Sequence, residues 1–185
     1  MKVCVFCSAN ELPAKYTEPA ARFARELAAN GHELVWGGSD TGLMGVIATA
    51  VQEGGGRTVG ISFELLADKA CQSADEMVIV KTLGERKALL LERSDVVVVL
   101  VGGIGTLDEA TEIIELRKHR AHDKPILVLD TDGFYDGLRT QLGRMAADGF
   151  LPRPLEELVT FAESPEEAVA YIEQYATSTA TRSVP

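Results

Sequence analysis

The chain has 185 residues, enough for one core of ordinary size, with 46% hydrophobic and 25% charged residues. Its 28 acidic and 18 basic residues give a formal net charge of −10, which argues against non-specific binding to nucleic acid or to an anionic membrane. No apolar run approaches the roughly 20 residues of a membrane span.

The opening MKVCVFCSAN reads as a first strand rather than a signal peptide, because it has one lysine and no long apolar stretch. Three cysteines, an odd number, fit a reducing compartment, so the cytoplasm is the expected location. Cys4-x-x-Cys7 has the spacing of a redox or metal pair, but residues three apart in a strand point to opposite faces. With no second pair in the sequence, these are expected to be structural thiols.

Residues 3–7 form the first expected strand, followed by the loop Ser8-Ala9-Asn10. A helix is expected over 18–30, stopped by Asn30-Gly31. Residues 34–36 make a second strand that runs into Gly37-Gly38-Ser39-Asp40-Thr41-Gly42. A small apolar helix over 43–53 stops at three glycines, and strands follow at 58–62 and 77–80. Next come a helix over 83–93, a strand over 96–100, and a helix reaching about Arg120. A strand at 126–129, a helix over 134–148 and shorter helical patterns at 155–158 and 165–175 complete the series. Alternating strands and helices predict an α/β fold, Rossmann-like, with an open, mostly parallel sheet and helices on both faces. Residues 1–175 are expected to form a single domain, and the polar residues 176–185 a frayed tail.

The most specific stretch is VVVVLVGGIGTLDEATE, residues 96–112. Its β-branched run predicts a strand buried on both faces, entering Gly102-Gly103-Ile104-Gly105-Thr106 just before a helix. Thr106 is the expected N-cap, and the helix start offers unpaired N–H donors and partial positive charge, suited to a phosphate. Glu109 sits one turn beyond, and two readings of it are open. It is either a carboxylate beside a bound anion or the far end of a Thr106-x-x-Glu109 capping box. The loop fits neither dinucleotide nor Walker patterns: a third glycine would fall at Asp108, and no Gly-Lys-Ser/Thr follows.

Ligands in such sheets bind beyond the C-terminal strand ends, where Ser8, Gly37-Gly38, Lys81-Thr82, the glycine loop and Asp130 collect. Arg86 and Lys87 open a helix at this edge and read either as a phosphate-binding pair or as a solvated face. Thr82-x-x-Glu85 reads as a capping box. His119 and His122 lack a third ligand nearby in sequence, so no metal is expected.

Three stretches together resemble the LONELY GUY (LOG) family: Gly37 through Gly45 (GGSDTGLMG), Arg86-Lys87, and Gly102 through Glu109 (GGIGTLDE). The likeness covers nearly the whole chain to about Tyr175. These proteins are cytokinin riboside 5′-monophosphate phosphoribohydrolases, often mislabelled lysine decarboxylases. The resemblance implies a homodimer that hydrolyses the N-glycosidic bond of a nucleoside 5′-monophosphate, AMP or a cytokinin riboside monophosphate, without a cofactor. Arg86 and Glu109 would be catalytic. Ser8, Gly38, Lys87, Gly102, Gly103, Gly105 and Thr106 would bind substrate. The alternative on the same scaffold is a non-catalytic carrier of a nucleotide or pterin-type cofactor.

The sequence departs from the family at Val101, where proline is usual, and at Ser39, a glycine elsewhere. Other departures fall at Ala9 and Asn10, at Leu83-Gly84, and at Leu116, Arg117 and Lys118 in place of an aromatic and a glutamine. Charged side chains there are expected to make a poor lining for a prenyl tail.

Overall fold

The computed structural model describes residues 1–182. Along them run β1 (Lys2–Phe6), α1 (Ala14–Ala29), β2 (Glu33–Trp36), α2 (Gly42–Glu53), β3 (Thr58–Phe63), β4 (Glu76–Val80), α3 (Leu83–Glu92) and β5 (Val96–Val99). Then follow α4 (Ile104–Lys118), β6 (Ile126–Leu129), α5 (Asp136–Ala147), the short α6 (Leu155–Leu158), β7 (Thr160–Ala162) and α7 (Pro165–Arg182). Two 3-10 segments, Glu64–Lys69 and Thr131–Gly133, interrupt the alternation. The strands form a parallel sheet in the order β4-β3-β2-β1-β5-β6-β7, Rossmann-like as expected.

Side-chain alternation divides the core into two layers. Val3 and Val5 belong with Phe23, Leu27, Ile47 and Val51 on the face covered by α1, α2 and α7. Cys4 and Phe6 belong with Leu90, Ala110 and Ile113 on the face of α3, α4 and α5. The four valines of β5 are wholly buried, each contributing roughly 1.5–3 kcal/mol of apolar burial. A β-branched run suits this position because both faces of a central parallel strand are covered.

Chain order steps outward through β2, β3 and β4 on one side of β1 and through β6 and β7 on the far side of β5. The reversal between β1 and β5 opens a crevice beyond their C-terminal ends. Phe6 is in register with Val99, and the strands are stitched past that point by Leu100 N–H to the Phe6 carbonyl (2.9 Å) and Ser8 N–H to the Val101 carbonyl (3.1 Å). The loop after β1 and the glycine loop after β5 are thereby held side by side.

Several expected boundaries move. The first helix begins at Ala14 rather than at residue 18, so Pro19, which resembles a first-turn proline, lies inside it. The 3-10 segment at Glu64–Lys69 and the strand Thr160–Ala162 carry no expectation from periodicity, being irregular and only three residues long, respectively. The last helix continues past Tyr175 to Arg182, so the expected frayed tail is helical that far, and residues 183–185 lie outside the described residues. The helix after the glycine loop is capped at Gly103, not at Thr106. Gly103 is extended (φ −93°, ψ −156°), so the helix starts three residues earlier and Thr106 falls inside its first turn.

Candidate active site

α3 starts at a true capping box. Thr82 Oγ1 accepts from the Glu85 N–H (3.1 Å), and a Glu85 carboxylate oxygen accepts from the N–H groups of Thr82 (3.3 Å) and Lys81 (2.9 Å). This fixes the first turn of α3, from which Arg86 reaches inward over the strand ends. Its Nε donates to the Ile61 carbonyl on β3 (3.0 Å), and its Nη1 donates to Glu109 Oε1 on α4 (2.7 Å). The Arg86 and Glu109 side chains are only 8% and 7% exposed, so this is a desolvated, charge-assisted pair. Glu109 is therefore no capping residue. With the cap at Gly103, its carboxylate turns to Arg86 instead.

Burial pushes the Glu109 carboxyl above the usual glutamate range, and the neighbouring guanidinium pulls it back only in part. Below lie Cys4 and Cys7, whose thiols burial, and then the charge of Glu109, push well up. They remain protonated, buried packing groups, with no disulfide among the described residues.

Over this pair the crevice widens into a cavity of about 430 Å³. The loops after β1 and β5 give it polar wall at Ser8, Asn10, Gly103, Gly105 and Thr106, with Asp108 also lining it. The N–H groups of Ile104, Gly105 and Thr106 have no acceptor in the preceding turn, leaving them available to an anion. Thr106 packs so closely on Gly102 that a Cβ there would lie 2.1 Å from Thr106 Oγ1. The same wall is apolar at Met44, Phe63, Leu66, Leu83 and Ile104. Arg86 and Glu109 belong to it too.

The family described as "Possible lysine decarboxylase" matches residues 44–172. A cytokinin riboside 5′-monophosphate phosphoribohydrolase of Mycobacterium tuberculosis is 39% identical over 160 residues, 85% of this chain and 86% of that protein. The enzyme of the same name from Arabidopsis thaliana is 36% identical over 177 residues, covering 94% and 78% of the two chains. The chain belongs to the LOG family. A likeness in fold alone extends to the molybdenum cofactor binding protein of Rippkaea orientalis (TM-score 0.74, 20% identity, 95% and 96% of the chains covered).

Of the LOG-type residues, Arg86, Glu109, Ser8, Gly103, Gly105 and Thr106 come together in the cavity wall. Gly102 lies just behind, lining a smaller cavity of about 180 Å³ with Ser8, Asn10, Gly103, Tyr16 and Phe134. Gly38 is not in the wall of either cavity. It adopts φ +78°, takes the Cys71 N–H on its carbonyl (2.7 Å), and is shielded by Met77. Lys87 points away as well. One residue along a helix turns the side chain by about 100°, and Lys87 bridges Asp108 (3.0 Å) and Glu112 on α4.

Asn10, Met44, Phe63, Leu66 and Leu83 join the wall without having been expected as binding residues. Each follows or adjoins a strand end, the one signal that could have marked them. The expectation of a charged base pocket is corrected. Arg117 donates to the carbonyls of Glu157 (2.7 Å), Asp123 (3.1 Å) and Lys124, and Lys118 pairs with Glu115 (2.6 Å). Only Leu116 of that trio faces a cavity, a second one of about 480 Å³ between α3 and α4. The two histidines are also engaged. His119 meets Glu115 (2.8 Å), and His122 Nε2 lies 3.0 Å from the Ile113 carbonyl.

Proposed function

We propose that the protein hydrolyses the N-glycosidic bond of a nucleoside 5′-monophosphate, releasing the base and ribose 5-phosphate. The observation that carries this reading is the buried Arg86–Glu109 pair in the wall of one cavity that also holds the start of α4, with its free N–H groups, and a set of apolar side chains. In this reading a 5′-phosphate sits on the N–H groups of residues 104–106, the ribose against Glu109, and the base against apolar wall residues such as Phe63, Leu66 and Leu83. Breaking the bond builds oxocarbenium character on the sugar, and a carboxylate held in low dielectric stabilises that charge. Arg86 fixes the carboxylate and offers its remaining guanidinium N–H groups to the departing base. Water adds to C1′ as the C1′–N bond breaks, its oxygen becoming the C1′ hydroxyl and one of its protons ending on the released base, and the phosphate supplies remote binding energy that positions the sugar.

The names of the relatives from Mycobacterium tuberculosis and Arabidopsis thaliana support this chemistry. A carrier needs the N–H groups of residues 104–106 but gains nothing from a desolvated carboxylate in its cavity wall. With Met44, Phe63, Leu66 and Leu83 in the cavity wall and Arg117 and Lys118 outside it, both AMP and a prenylated AMP fit the reading. The test is incubation with AMP, its prenylated form and other nucleoside monophosphates, with chromatography of free base. No base release from any of them would overturn the reading.

We further propose that the enzyme works as a homodimer in the cytoplasm. Ala88, Leu91, Ile113 and Leu116 form an apolar groove between α3 and α4, suited to a second copy. The three unbonded thiols fit a reducing compartment. A monomer mass by light scattering at micromolar concentration would rule out the dimer.

A further inference from the structure

Two adjacent glycines end β2, and they are glycine for different reasons. Gly38 has φ +78°, a backbone conformation that side chains strain. Gly37 has no such angle, so its backbone admits any residue. What excludes a side chain at Gly37 is the arginine of the site. A Cβ there would lie 2.1 Å from Arg86 Nη2, with the thioether of Met44 next at 3.1 Å.

Arg86 has little room to yield. Its Nε is tied to the Ile61 carbonyl (3.0 Å), its Nη1 to Glu109 (2.7 Å), and its side chain is 8% exposed. The guanidinium thus crosses from β3 to α4 through a slot whose near wall is the bare Cα of Gly37. We infer that Gly37 is a positioning residue: its missing side chain sets where the Arg86 guanidinium lies, and through it where the Glu109 carboxylate lies.

The inference rests on the catalytic reading of Arg86 and Glu109, but its mechanical half stands on stability alone. A methyl group at 37 must displace Nη2, and Nη1 moves with it because the guanidinium is planar and rigid. The N–H groups of residues 104–106, where the phosphate is proposed to bind, are backbone at the start of α4 and have no contact with position 37. The loss therefore falls on the transition state rather than on substrate binding.

The test is a double-mutant cycle of Gly37→Ala with Arg86→Lys, since lysine keeps a charge beside Glu109 but lacks the Nη2 atom. Gly37→Ala alone is expected to lower kcat on AMP roughly 10–100-fold, as for a misplaced group, with KM changed less than about 2-fold. It should lower Tm by roughly 2–10 °C in the arginine background and by less than half of that in the lysine background. If Gly37→Ala alone fails to fold while the double variant folds, the steric claim is upheld. An equal drop in both backgrounds, or failure of both to fold, assigns the clash to Met44 or the backbone and overturns it. An unchanged kcat in folded Gly37→Ala also overturns it. If wild-type protein releases no base from any nucleotide, the proposed function falls, while the thermal cycle still decides whether Gly37 makes room for Arg86.

Discussion

Arg86 and Glu109 meet at 2.7 Å, and their chain neighbours Lys87 and Asp108 meet at 3.0 Å alongside them. α3 and α4 are therefore joined by two adjacent rungs, one buried and one at the surface. The inner rung carries the proposed chemistry. The outer one, with Asp108 51% exposed, is worth no more than about 1 kcal/mol and serves alignment.

Glu109→Gln should reduce base release from AMP by at least about 100-fold, the usual loss when one electrostatic stabiliser of a transition state is removed. Its amide keeps the shape, can still accept from Arg86 and resembles the protonated acid, so Tm at neutral pH should not fall. Arg86→Ala should abolish activity and also cost up to about 3–5 kcal/mol at neutral pH, because a buried carboxylate is left unpaired. Steady-state rates and thermal melts check both, and full activity in either folded variant would exclude the catalytic assignment.

The carboxyl of Glu109 is held above the ordinary glutamate range by burial. If the ionised form is the active one, kcat/KM falls as pH drops through that raised value, so the acid limb lies above the ~4.3 of a free glutamate. The stability effect has the opposite sign. The folded state binds this proton more tightly than the unfolded chain, so the group's contribution is present below the unfolded pKa and lost as pH rises toward the folded one. Melts of wild type and Glu109→Gln across pH 4–8, about four units, should converge at the acid end.

Gly102→Ala puts a Cβ where Thr106 Oγ1 now sits, 2.1 Å away, and should swing that side chain off the phosphate end. The expected result is a KM for AMP raised about 10–100-fold, the equivalent of one hydrogen bond to a charged group, with kcat less affected. A KM equal to wild type would show that Thr106 does not touch the phosphate.

Adenosine should be a poorer substrate than AMP by at least ~100-fold in kcat/KM, or ~2.7 kcal/mol, because nothing then engages the N–H groups of residues 104–106. Equal rates would remove the phosphate from the reading.

The sequence shows much of this architecture because its signals are local. The valine run of β5, the glycines after it and the Thr82–Glu85 box each specify their structure within a few residues. Thr106-x-x-Glu109 matches the same capping pattern and misleads, since the true cap at Gly103 uses backbone alone and leaves no side-chain signature. Lys87 lies outside the cavity wall around Arg86 for a rotational reason: it shares a helix turn with Arg86 but not a direction. The role of Gly37 is illegible in one dimension, because it depends on the full reach of an arginine 49 positions away (86 minus 37). β7 is too short for any periodicity to show.

Because β1 lies between β2 and β5, the oldest strand in the chain waits for a late partner. As synthesis proceeds, β1 to β4 can pair among themselves, yet one side of β1 stays a bare row of peptide groups until residues 96–99 emerge. Ser8, made among the first ten residues, has no neighbour at Val101 until then, and Arg86 has no Glu109. A nascent chain whose exposed part ends before residue 96 is thus a sheet with a sticky seam and an unpaired arginine. Ribosome-bound chains with residues 96–109 outside the exit tunnel should resist protease far better than chains with those residues still inside it.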